Sequence, residues 1–339
     1  MRKIDVFNHI TPDAYFRHVQ DLDAAKTDLG KRTSGMMPLR DLDLRWRLMD
    51  EFGEGYQQVV TIPGPQPALL AGPDETPLIA RIGNDGLAEL CRKYPNRFVG
   101  FAATLPMNNP DAAIVEAKRA INDLGALGVE IFTNIRGKPL DHEDFRPVWD
   151  ELAKLDRPVW LHPTRTPNLP DYSTEKKSRY EVWFVFGYPY ETSTAMARLV
   201  FSGLFDRHPN LRIITHHMGG MVPYFEGRVG PSWEVLGSRT SDEDYTGVLK
   251  SLKLPHTEYF KKFFYGDTAL FGAVAGTKCG LEYFGADHVL FASDYPFDPV
   301  PGQFIRETIR ILDSIGMPDA DRHKIYHGNA EKLFRLKVN

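Results

Sequence analysis

Eight short runs of β-forming residues alternate with longer stretches of helical period along the whole 339-residue chain. This alternation constrains the fold more than any single motif, because parallel strands need a crossover segment between them and helices supply it. The runs cover residues 3–9, 56–62, 97–104, 129–133, 158–162, 211–216, 263–266 and 289–292. Between them, apolar residues recur at helical spacing. One such face carries Ile79, Ile82, Leu87, Leu90, Cys91 and Tyr94. The next carries Ile114, Ala117, Ile121 and Leu124, with Gly125 placed to end it, and a third carries Phe145, Val148, Trp149, Leu152 and Leu155. The expected fold is α/β, a single (β/α)8 barrel of the TIM type over residues 1–339. Residues 21–43, 168–190 and 230–259 exceed what a minimal barrel needs and are rich in Gly, Pro, Ser or charge. Two of these stretches follow strands that end in histidine, so they are expected to be loop insertions at the C-terminal face, where barrels carry their substrate-covering loops.

The composition excludes several classes of partner. Net charge is -4 and the basic residues are scattered, so the concentrated basic surface of a nucleic-acid binder is missing. Cys91 and Cys279 have no second cysteine at metal-binding spacing, which rules out a disulfide framework and fits a reducing compartment. The opening MRKIDVFNHITP reaches Asp5 and His9 before any signal-length apolar stretch, and no apolar run approaches membrane-spanning length. A cytoplasmic protein acting on a small molecule is expected, with neither nucleic acid nor membrane as partner.

Chemistry is concentrated where strands end. His9 closes IDVFNH, His162 closes RPVWLH, His216 and His217 close LRIITHH, and Asp294 closes HVLFASD. Ligands carried on separate strand ends converge at one end of a barrel, and imidazole with carboxylate is a donor set for Zn2+ or a similar divalent ion. A lone strand-end histidine is more often a packing residue; the joint placement of such residues at four strand ends is what points to a site. His18, His142, His208, His256, His288 and His323 lack that placement and read as surface histidines.

Several longer stretches carry a family resemblance: IDVFNHITP, RWRLMD, GVEIF, VWLHP, GYPYETSTAMARLVFSGLFDRHPNLRIITHHMGGMVPYFEGR, LFASDYPF and HGNAEKLFRL. Together they make the chain resemble the amidohydrolase-2 family, related to aminocarboxymuconate semialdehyde decarboxylase and the nonoxidative aromatic acid decarboxylases. The resemblance implies that His9, His162 and Asp294 hold one divalent metal ion, Zn or Mn, and that His217 hydrogen-bonds metal-bound water or substrate. His216 ranks lower, because strand alternation turns it to the other face. Arg45 and Arg228 match positions at which relatives grip a substrate carboxylate, a task suited to the fixed donor fork of guanidinium. In those relatives the second arginine reaches across a subunit interface, which implies a homodimer or higher homo-oligomer.

One departure from the family pattern falls on the first strand. The family has His-x-His or Glu-x-His there, and this chain has Phe7-Asn8-His9. Phenylalanine cannot ligate, and Asn8 is out of phase with His9. Either three ligands still hold a metal with an open position, or the metal is lost and the same groups act as acids, bases and donors in a more apolar pocket. Phe7 is then placed among the substrate-contacting residues. Glu130, inside the apolar run GVEIF, is either a site residue or a partnered structural carboxylate. Trp183, Phe184, Phe186, Tyr188 and Tyr190 form either a substrate wall or ordinary core or interface packing. Asn329, in the HGNAEKLF signature, is expected to be structural.

The resulting expectation is nonoxidative decarboxylation of a small aromatic or unsaturated carboxylic acid, with Asp294 protonating the carbon that bears the carboxylate. Hydrolysis of a lactone, ester or amide by water activated at His217 and Asp294 uses the same residues. A catalytically silent binding protein is the rival that Phe7 raises.

Overall fold

All eight expected strands form, and each lies parallel to its neighbour in sequence order. The computed structural model describes residues 1–239 and 245–336. The strands are β1 (Lys3–His9), β2 (Tyr56–Thr61), β3 (Phe98–Thr104), β4 (Gly128–Phe132), β5 (Val159–His162), β6 (Ile213–Thr215), β7 (Phe264–Asp267) and β8 (Val289–Leu290). The chain just after β8 closes the ring onto β1. The Val6 amide donates to the Phe291 carbonyl at 2.9 Å, the His9 amide to Tyr295 at 2.8 Å, and the Asp294 amide to Phe7 at 3.1 Å. The sheet is therefore a (β/α)8 barrel.

The helices expected from apolar spacing span Thr76–Lys93, Pro110–Asn122 and Arg146–Leu155. Each has local reasons for its limits. Asn109 caps the second by accepting from the Ala112 amide at 3.2 Å, with Pro110 opening it. The third ends at Asp156, whose backbone enters the left-handed region just before Arg157-Pro158 forbids continuation.

Burial divides into two layers. Strand residues such as Val129, Ile131, Val159 and Leu161 pack outward against the helices. The alternate positions fill the barrel, with Phe7, Val59, Ala102, Trp160, Ile214 and Leu290 in one cluster. Trp160 is fully buried and donates its indole N–H to the Val6 carbonyl at 2.9 Å, which satisfies the polar atom of the largest interior side chain. Gly128 has no alternative at its position, since a Cβ there would lie 2.1 Å from the Pro158 carbonyl oxygen. This interior plug supports the ring of polar residues above it.

The insertions behave differently from one another. Residues 21–43 form short helical turns, including Asp28–Ser34, that lean over the mouth of the barrel. Residues 168–190 bring in Phe184 and Tyr188 from the opposite side. In the third stretch, residues 240–244 lie outside the described residues, and none of its described residues lines the mouth. Its Trp233, Leu236, Tyr245 and Val248 line a surface groove instead.

Candidate active site

The strand ends deliver four histidines and three carboxylates to one small volume, and each is held by a particular contact. His9 Nδ1 lies 2.8 Å from Thr61 Oγ1 on β2, and its Nε2 lies 3.0 Å from Asp294 Oδ1. His162 Nδ1–H donates to the Pro163 carbonyl at 2.6 Å, so its proton sits on Nδ1 and Nε2 is left as a bare electron pair. Asp294 follows β8 with φ +63°, a strained left-handed backbone held by the hydrogen bond that its N–H donates to the Phe7 carbonyl.

His216 corrects the sequence expectation. Strand alternation would turn it away, but β6 stops at Thr215 and the backbone then bends sharply, with φ of +54° at His217 and Met218. The bend is anchored from β7, because Asp267 Oδ1 accepts the His217 amide at 3.0 Å while Asp267 Oδ2 accepts His216 Nδ1–H at 2.5 Å. Both imidazoles consequently enter the same site, their ring centroids 3.8 Å apart. The turn fits because Met218 drops into space left by Gly280, where a Cβ would lie 2.0 Å from Met218 Cγ. Asp267 escaped sequence reading altogether, although an acid directly after the β7 run FFYG occupies the same kind of strand-end position as His162 and Asp294.

The charges in this cluster are set by mutual proximity. Burial works against an imidazolium at His216, but Asp267 on one nitrogen and Asp294 Oδ1, 3.2 Å from the other, outweigh it and lift the group to about 10. Burial would raise Asp294, yet the adjacent His216 cation and contacts to His217 and His9 hold it well below the usual carboxylate range. Burial depresses His9, His162 and His217, which stay neutral. The resting site is thus an imidazolium between two carboxylates, flanked by three neutral imidazoles.

Glu130 lies just beneath. It is 1% exposed on β4, and both carboxylate oxygens lack a hydrogen-bond partner. Burial pushes it up to about 8. One of its oxygens and nitrogens of His9 and His162 all lie within 4.8 Å of one another; the same holds for His9, His216 and Asp294. A buried carboxylate beside two neutral imidazoles, reached by no hydrogen bond of good geometry, fits a divalent cation.

Three residues expected to contact substrate do not line the cavity of the single chain. Arg45 is fully buried beneath the site, where its guanidinium donates to the His9 carbonyl at 2.5 Å and to Gln58 Oε1 at 2.7 Å and lies over the Tyr295 ring. It fixes the end of β1 and does not line the cavity. Arg228 is exposed on the helix Glu226–Glu234, on the separate surface groove. Phe7 is buried in the barrel, stacked on His216 with centroids 3.8 Å apart, and serves as floor beneath the imidazole. Asn8 is also outside the site, its side chain donating to the Asp5 carbonyl.

Above the cluster opens a cavity of about 180 Å³, lined by His162, His216, His217 and Asp294 at its base and by Phe184, Tyr188, Phe271, Phe297 and Phe304 around it. A dry cavity of roughly 150 Å³ accommodates benzene, so this one suits a single substituted ring. Arg32, from the first insertion, is the lysine or arginine that lines it among the described residues. It pairs with Glu181 at 3.1 Å and stacks over Phe184 at 4.1 Å. No motif marked Arg32 in the sequence, because it lies in an insertion whose path only the fold defines.

Residues 4–336 match the family described as Amidohydrolase. The chain belongs to the amidohydrolase family. Within that family it is 34% identical over 304 residues to gamma-resorcylate decarboxylase of Rhizobium sp., covering 87% of each chain. In structure it is similar to 2,6-dihydroxybenzoate decarboxylase from Rhizobium, with a TM-score of 0.80, 29% identity and 99% of both chains covered. It is also similar to dihydroxybenzoic acid decarboxylase from Polaromonas sp. with bound manganese and the inhibitor 2-nitroresorcinol. That match has a TM-score of 0.77 and 28% identity, and covers 100% of this chain and 98% of the other. All three of these relatives are decarboxylases, two of them of dihydroxybenzoic acids by name.

Proposed function

We propose that this amidohydrolase removes CO2 from a small hydroxylated aromatic acid. The observation that carries the reading is the ring-sized aromatic cavity seated directly on Asp294 and its imidazole partners. A flat aromatic acid fills such a space with its ring against Phe271 and Phe297 and its polar edge toward the histidines. Arg32 supplies the cation for a substrate carboxylate or phenolate at the rim.

Asp294 is ionised at rest, so the proton it passes to the ring carbon comes from a neighbouring imidazole, held on His216 Nε2 or His217 Nε2. Protonation of the carbon bearing the carboxylate interrupts the ring's conjugation. The carbon–carbon bond then breaks, its electron pair returns to the ring, and CO2 departs. His9, His162, Asp294 and Glu130 are the residues that would hold a divalent metal, manganese or zinc; when bound, that ion supplies positive charge for the carboxylate and an adjacent oxygen.

Arg228 does not line this cavity within one chain, so a role for it in substrate binding requires a second copy, in a homodimer or higher homo-oligomer. The two free cysteines fit a cytoplasmic setting, and no helix among the described residues is long and apolar enough to cross a membrane. Incubation with a panel of hydroxybenzoic acids and aromatic lactones tests the reading. CO2 and the decarboxylated phenol are expected from at least one acid, and turnover of lactones alone would assign the site to hydrolysis.

A further inference from the structure

Position 7 leaves the first strand one ligand short, yet β4 places an unexplained carboxylate in the same volume. Glu130 stands level with Trp160 on β5 and Thr104 on β3, so it faces the barrel interior, and Phe132, two residues on, lies beside His162 with centroids 4.7 Å apart. Its two oxygens are buried without partners, and it is grouped with ring nitrogens of His9 and His162 within 4.8 Å. The two histidines are already oriented from behind, His9 by Thr61 and His162 by the Pro163 carbonyl, the arrangement that presents an imidazole to a cation. Leaving a carboxylate unpaired at this depth is costly. Phe7, meanwhile, fills its own position by stacking on His216, which closes that side of the cluster to a ligand.

We infer that Glu130 is a metal ligand that replaces the missing first-strand ligand and rebuilds the site around β4: the ligand atoms fall in two triads that share His9, one with His162 and Glu130 and one with His216 and Asp294, and the ion is held at the first, with Asp294 reaching it from the second. The inference rests on the metal-assisted reading of the site but makes a separate claim about which side chain carries the charge.

The test is metal binding, read without turnover. Protein stripped with a chelator is titrated with Mn2+, and free Mn2+ is followed by its paramagnetic resonance signal for wild type, Glu130→Gln and Phe7→Glu/Glu130→Gln. Groups that merely orient a ligand contribute 10–100-fold to affinity, so loss of a ligand should weaken Mn2+ binding by on the order of 100-fold or more. Glu130→Gln is nearly isosteric, and the stripped variant should unfold no earlier than stripped wild type while losing the Mn2+-induced rise in Tm. Partial recovery of affinity in the double variant is expected, because it returns a carboxylate to β1. Unchanged Mn2+ affinity in Glu130→Gln would overturn the inference and leave the decarboxylase reading standing. Absence of Mn2+ and Zn2+ binding by wild type would overturn the inference together with the metal-assisted reading.

Discussion

Asp267 holds His216 by its Nδ1 at 2.5 Å and the His217 amide at 3.0 Å, so one carboxylate on β7 sets the direction of both imidazoles after β6. Asp267→Asn keeps the shape and removes the charge. Turnover should fall about 10–100-fold, the effect usual for a group that orients a catalytic one. The His216 pKa should drop from about 10, moving the alkaline limb of the rate profile to lower pH. His216 is raised relative to the unfolded chain, so its contribution to stability is complete below about 6.5 and fades as pH climbs through about 10. The variant should be less stable than wild type at pH 6, where that contribution is complete, and approach wild type by pH 10, as denaturant titrations at the two pH values would show. An unmoved profile would remove Asp267 from this role.

Arg32→Met removes the cation lining the cavity. A charge-assisted hydrogen bond contributes roughly 1.5–3 kcal/mol, so KM for an aromatic acid should rise about 10–100-fold with a smaller change in kcat. Equal loss in kcat alone would assign Arg32 to positioning the insertion through Glu181 and Phe184.

Arg45→Met should do the opposite. It strands the His9 carbonyl and Gln58 in the interior, and leaving buried acceptors unpaired costs about 1–3 kcal/mol each. A stability loss of about 3 kcal/mol is expected in urea, with KM changed less than about threefold. A large rise in KM with normal stability would return Arg45 to the substrate.

Much of this arrangement was legible in the sequence because barrel strands announce themselves by β-forming runs and place their last residues at one face. That logic located His9, His162, His217 and Asp294 together. It failed where backbone geometry departs from the strand: His216 joins the site only because β6 stops at Thr215 and the chain turns through left-handed conformations. Arg45 and Arg228 were assigned by motif, and motif says nothing of burial. One proves to be a buried clamp on β1 and the other a surface residue. Arg32 and Asp267 required the three-dimensional path of an insertion and the true end of β7.

Asp5 gives a prediction independent of the site. It is fully buried on β1, receiving hydrogen bonds from Tyr56 Oη at 2.6 Å, Ser293 Oγ at 2.6 Å and the Ser293 amide at 3.0 Å. Burial raises it from 3.8 to about 7. A raised carboxyl binds its proton more tightly in the folded chain, so the contribution of Asp5 to stability is greatest below about pH 4 and declines until pH passes about 7. The span corresponds to on the order of 4 kcal/mol. Asp5→Asn should flatten that decline, because both hydroxyl partners can reverse and accept from the amide. An unchanged slope between pH 5 and pH 8 in urea titrations would contradict the assignment.

Decarboxylation with proton delivery from Asp294 is tested most directly in D2O. The Mn2+-loaded protein is incubated with 2,6-dihydroxybenzoate and related hydroxybenzoic acids, and products are followed by proton NMR with CO2 measured in the headspace. The expected result is one CO2 per phenol formed, with a single deuterium on the carbon that carried the carboxylate, and loss of at least ~1,000-fold in rate for Asp294→Asn. Full turnover in Asp294→Asn, or hydrolysis of lactones without CO2 from any acid, would contradict the account.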